Sequence, residues 1–163
     1  RGRGGAATRL DGTSRQVPPT GALTTAQEDR RDLEICNQRL LGAIAEGDYL
    51  TYSCLVDEGV TCFEPEACGH LVAGRDFHKY YFDVARDAAA VPSVASRSTI
   101  AEPTFRVMGD CAVVCYVRLV QTGFKTVRTE ETRVWRRQAA TSDLGKWKLV
   151  HFHRSKPANG YGA

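Results

Sequence analysis

Apolar residues along the chain recur first at helical and then at strand spacing, and the change falls near residue 96. Thr25 and Glu28 are spaced as a capping box, and Leu33, Cys36, Leu40, Leu41 and Ile44 follow on one helical face, predicting a helix that Gly47 ends. Asp48 to Val56 predicts a second, short helix, and Gly59 to Glu64 a strand stopped by Pro65. A third helix is expected from about Asp76, with Phe77, Tyr80, Tyr81, Val84 and Ala88 on one side. Residues 97–108, 111–121, 126–137 and 147–154 then read as strands, joined at Gly109-Asp110, around Gly123 and through the polar stretch 138–146. Helices first and a meander afterwards predict an α+β domain, with helices packed on a curved, mainly antiparallel sheet.

Three of those strands each carry an arginine on an otherwise inward face. Strand side chains alternate, so Arg118 shares a face with Ala112, Val114, Tyr116 and Val120. Arg133 goes with Thr129, Glu131 and Trp135, and Arg154 with Val150 and Phe152. An isolated charge withdrawn from water costs on the order of several kcal/mol, so the inward guanidinium groups of Arg118, Arg133 and Arg154 demand partners. Two readings stand: internal acids hold them, with Glu64, Glu66, Glu130 and Glu131 available, or the site takes an anion.

The 163 residues fit one domain, and their 25% charged side chains are those of a globular protein. Residues 1–24, rich in Gly, Ala, Thr, Pro and Arg, read as a flexible linker or tail, and 158–163 as a C-terminal tail. The net charge of +3 resides in the first 25 residues, with four arginines against Asp11; the remainder balances at 18 basic and 18 acidic side chains. A neutral globular part gives no reason to expect nucleic acid, and no apolar run reaches the roughly 20 residues of a membrane helix. The six cysteines form no C-x-x-C pair, and they are expected to be buried, reduced thiols in a cytoplasmic protein. His151 and His153 face away from Arg154 with no third ligand at metal spacing, so neither a metal nor a cofactor is expected. Trp135 and Trp147 read as core or interface aromatics. The Tyr80-Tyr81-Phe82 cluster is too large for one helix face, so part of it is expected to be covered by a neighbouring subunit.

Several runs carry a resemblance. They are Ala43-Ile44 with Gly47-Asp48, Thr61 with Phe63-Glu64-Pro65-Glu66-Ala67, Gly69 with Leu71-Val72 and Gly74, and Asp76-Phe77-His78 with Tyr81-Phe82. Met108-Gly109-Asp110, Glu130-Glu131-Thr132-Arg133-Val134-Trp135 and His151-Phe152-His153-Arg154 continue the series. Over residues 30–157 the chain closely resembles the association, or hub, domain of calcium/calmodulin-dependent protein kinase II. The resemblance implies a cone-shaped, nuclear-transport-factor-like fold enclosing a pocket, over a domain of residues 25–157. It implies a homo-oligomer of dimers assembled into stacked rings, with kinase domains attached outside and calmodulin engaged only through a segment absent here. It also implies that Tyr52, His78, Arg118, Arg133 and Arg154 point into the pocket, which would accept a small carboxylate or an acidic peptide. Two departures stand out: the hairpin around Gly123 is short, and Arg86 occupies the place of a family tryptophan near the pocket mouth.

No Gly-rich phosphate loop, His-Arg-Asp loop or Asp-Phe-Gly motif occurs, so the chain is expected to be an assembly domain without catalytic residues. The same fold hosts isomerases, dehydratases and hydrolases. A small-molecule enzyme using Tyr52 and His78 for acid–base work, or a free-standing anion-binding protein, is therefore the alternative. Against the enzyme, no inward Asp or Glu stands out as a base.

Overall fold

A computed structural model describes residues 24–88, 96–142 and 145–156. The expected tails, apart from Thr24, lie outside the described residues. Helices α1 (Thr25–Glu46) and α2 (Tyr49–Leu55) come first, then strands β1 (Val56–Phe63) and β2 (Val72–Ala73) and helix α3 (Asp76–Ala88). The meander follows as β3 (Ser96–Met108), β4 (Cys111–Thr122), β5 (Lys125–Ser142) and β6 (Gly145–Ser155).

The strands form one mixed sheet in the order β2-β1-β6-β5-β4-β3, in which β1 and β6 run parallel and every other pair is antiparallel. Leu33, Cys36, Leu40 and Leu41 of α1 are buried together with Val114 of β4, Trp135 of β5, and Trp147 and Leu149 of β6. Arg137 ties α1 down: both its terminal nitrogens donate to the carboxylate of Asp29 (2.8 and 2.7 Å) while its guanidinium lies 4.4 Å over the Trp147 ring. Planar stacking and a bidentate fork are what arginine supplies and lysine does not.

The differences from the sequence pattern have local causes. The capping box is Thr24–Gln27, one residue earlier than Thr25–Glu28; Thr24 is extended and its side chain accepts from the Gln27 N–H, whereas Thr25 is already helical. Two overlapping boxes are written in the sequence, and only backbone conformation chooses between them. Ile44 is half out of the core, and Ala43 takes the buried place. Strand β1 starts at Val56 rather than Gly59, directly from the end of α2. Strand β5 runs on to Ser142, pairing with Gly145, through a stretch that polarity alone marks as a connection. The hairpin between β4 and β5 is a two-residue turn, with Gly123 in the left-handed region (φ 58°).

Two differences reach the site. In β6 the buried positions are Trp147 and Leu149 and then Phe152, because the pairing with β5 shifts between Leu149 and His151. That bulge reverses the alternation, so Val150 is not the inward neighbour that a regular strand would make it. In α3 the buried side chains are His78 and Phe82, while Tyr80, Tyr81 and Val84 are exposed. The apolar stripe read from the sequence is therefore mostly turned away from this chain's own core; Ala88's side chain lies outside the described residues.

Of the six cysteines, none in a disulfide, Cys36 and Cys62 are buried as expected, but Cys54, Cys68 and Cys111 are exposed and Cys115 is half-buried. No helix among the described residues is long and apolar enough to cross a membrane.

Candidate functional site

All five residues singled out from the sequence line one cavity of about 220 Å³: Tyr52 from α2, His78 from α3, Arg118 from β4, Arg133 from β5 and Arg154 from β6. Register explains how. Glu131 stands opposite both Tyr116 and Arg154, and Arg133 stands opposite both Val114 and Phe152, whose next neighbour on β1 is Cys62. With Arg118 opposite Thr129, three successive inward rows of the sheet thus bring the arginines to one place.

The acids reach every arginine, in two separate clusters. In the first, Arg133 Nη2 donates to Glu131 Oε2 at 2.8 Å and Arg133 Nε to the Tyr116 hydroxyl at 2.6 Å. The same hydroxyl donates to Glu131 Oε2 at 2.8 Å, Thr129 bonds Glu131 Oε1, and the guanidinium packs 5.4 Å from the centre of the Phe152 ring. Burial alone would raise the Glu131 carboxyl, but the Arg133 charge and the hydrogen bonds from Arg133 and Tyr116 outweigh it and hold the group at about 2. Burial likewise works against charged Arg133, yet Tyr116 and Glu131 keep it above the usual arginine range. Arg118 is more loosely held, with Nε on Ser98 Oγ at 2.9 Å and Nη1 3.7 Å from Glu131 Oε1. Desolvation lowers its affinity for a proton, opposed by Glu131.

The second cluster sits where β1, the turn Pro65–Ala67, α3 and β6 meet. Arg154 Nη2 donates to Glu64 Oε2 (2.9 Å) and Glu66 Oε2 (2.5 Å). The other oxygen of Glu64 lies 3.2 Å from His78 Nε2, which is also 3.4 Å from Cys62 Sγ. Burial pushes Glu64 up, but the His78 and Arg154 hydrogen bonds more than offset this and leave it below the ordinary carboxylate value. His78 Nδ1 is buried without a hydrogen-bond partner. Tyr52 meets His78 ring to ring, centroids 5.9 Å apart, and burial pushes its hydroxyl above the usual tyrosine range.

Two expectations fail on this geometry. Glu130 does not join the arginines; it faces outward with its side chain 3.1 Å from Arg128, as alternation from buried Glu131 requires. Inward acids do exist, since Glu64 and Glu131 are both buried, although arginine holds each as a carboxylate. Arg86 is exposed, pairs with Asp83 and Asp87 on its own helix, and is not among the cavity's lining residues. His151 is 2.8 Å from the Thr61 hydroxyl, and among the described residues no group of potential metal ligands includes His153. The residue that sequence reading missed is Cys62. Its only signal was the two-residue step to Glu64 on an extended segment, which puts both on one face.

Comparison with known proteins gives a consistent answer. The sequence profile of the calcium/calmodulin dependent protein kinase II association domain matches residues 29–158. Calcium/calmodulin-dependent protein kinase type II subunit delta from Oryctolagus cuniculus is 43% identical over 124 residues, covering 72% of this chain and 22% of the relative. The chain thus spans about a fifth of that protein's length. The S. rosetta CaMKII hub structure is 44% identical, covers 77% of this chain and 95% of its own, and superposes with a TM-score of 0.67. At 18% identity an NTF2-like protein from Cytophaga hutchinsonii, covering 78% of this chain and 97% of its own, superposes at 0.60, which shows the fold alone.

Proposed function

The chain belongs to the calcium/calmodulin dependent protein kinase II association-domain family, and on that premise we propose that residues 25–157 form an assembly module joining copies of the chain. Dimers stack into rings and carry kinase domains outside, in a cytoplasmic holoenzyme; calmodulin is engaged elsewhere in the full-length protein. The observation that carries this reading is the outward stripe of α3. Tyr80, Tyr81 and Val84, with Leu50 and Leu71, are exposed in a single copy, and apolar side chains left open on one element suit a surface that another copy covers. Joining subunits raises the local concentration of whatever is attached to them, which favours reaction between neighbours. Mass measurement of the intact assembly tests this. A large even-numbered ring is the expected result, and a plain dimer or a monomer would overturn it.

The cavity, in this reading, takes a small carboxylate or an acidic peptide. A guanidinium carries five donors, and the contacts within each cluster use only part of that set. Arg118 is the best probe, because truncating it leaves the Arg133–Glu131–Tyr116 group bonded. Millimolar acetate or succinate is expected to raise the melting temperature of the full chain, and Arg118→Ala to abolish the rise. No shift in the intact protein would remove the ligand from the proposal.

The enzyme reading draws on the Glu64–His78 pair inside the cavity. It is the weaker one, since Arg154 occupies the carboxylate that would act as base and the pair Tyr52–His78 is not hydrogen-bonded to each other.

A further inference from the structure

Three potential ligand atoms converge on one point beside the cavity, and nothing in the assembly or anion-binding readings uses them together. Cys62 and Glu64 lie two residues apart on extended chain and project from the same face; His78 meets them from α3. Cys62 Sγ, His78 Nε2 and a Glu64 oxygen lie within 4.8 Å of one another, all three residues buried. The separations are 3.4 Å for sulfur to nitrogen and 3.2 Å for nitrogen to oxygen. A tetrahedral zinc ion with ordinary bond lengths sets those edges at about 3.5 and about 3.4 Å. Both therefore fall within roughly 0.2 Å of what the metal requires.

Hydrogen bonding alone accounts poorly for the same group. Nε2 offers one site, a proton or a lone pair, yet faces both a carboxylate and a thiol. We propose that Cys62, His78 and Glu64 bind a divalent cation of the zinc class, with the remaining coordination position toward the cavity.

The chemistry around the three residues suits that ion. A thiolate and a carboxylate together offset its two charges, and the thiolate selects against magnesium and calcium. Glu64 presents Oε1 to the site while Oε2 is held by Arg154, the kind of outer hydrogen bond that orients ligating carboxylates. Glu64 and His78 also line the cavity, so the open position faces space where water or a small carboxylate fits. Loading releases the Cys62 thiol proton to solvent as the sulfur–metal bond forms. The site stands whether or not the chain forms rings.

The test is titration of the metal-stripped, phosphine-reduced full chain with cobalt(II), followed by displacement with zinc. The expected result is one equivalent of cobalt with a thiolate-to-metal charge-transfer band, bleached by zinc. Cys62→Ala should abolish the band, and His78→Gln should weaken binding at least tenfold. Cys54→Ser and Cys68→Ser, at exposed thiols, should leave it intact. Zinc should also raise the melting temperature of the unaltered chain and not of Cys62→Ala, so that folding and binding are read separately. Absence of a saturable band in the intact chain, or its persistence in Cys62→Ala, would overturn the proposal.

Discussion

The two acid–arginine clusters of the cavity use the same chemical groups to opposite effect. Around Arg133 and Glu131, on the central strands, the principal contacts are mutually satisfied: guanidinium, carboxylate, phenol and hydroxyl close on each other beneath Phe152. Around Arg154, Glu64 and His78, near the sheet's other side, two acids share one guanidinium nitrogen and a histidine faces two partners at once. The first cluster is an internal strut, and its stability comes from completeness. In the second, His78 Nε2 has one proton or lone pair to share between Glu64 and Cys62, and such a mismatch is where a ligand or ion finds a role.

The largest test of this contrast is truncation. Arg133→Ala strands Glu131 as a buried carboxylate and is expected to cost about 3–5 kcal/mol in urea unfolding. Arg154→Ala, at a partly exposed pair, should cost about 1 kcal/mol. Equal losses would break the distinction.

Acid provides the next. Glu131 is held at about 2 in the fold, against an ordinary value of 4.5. Its contribution, on the order of 3 kcal/mol, is complete above pH 4.5 and disappears as pH falls through 2. Unfolding measured between pH 2 and 6 should show stability declining toward acid, and Glu131→Gln should flatten that dependence. The smallest effect is Arg118→Ala on stability, about 1 kcal/mol or less, even though it is the variant expected to remove the carboxylate response.

How much of this was legible beforehand depended on distance along the chain. The three arginines announced themselves because alternation is local: each could be placed on an inward face from its own strand. Their acids could be named as candidates, and Glu131 placed on the face of Arg133, but which acid holds which arginine depends on contacts between elements that no single strand records. The bulge in β6 shows the limit, because a single shift of register moved the inward face from Leu149 to Phe152. Cys62 and His78 are 16 residues apart on different element types, and no periodicity links a strand to a helix that folds back over it.

The sequence by itself determined the three helices, the longer strands and their order, the α+β class and the inward arginines, because spacing, caps and turn residues act over a few positions. Tertiary structure alone decided which face of α3 meets the core. An apolar stripe records that something covers it, without recording whether that is the same chain or another copy. It also decided which acid holds which arginine, and it set thiol, imidazole and carboxylate around one point. Those outcomes depend on ångström distances between segments that share no local pattern.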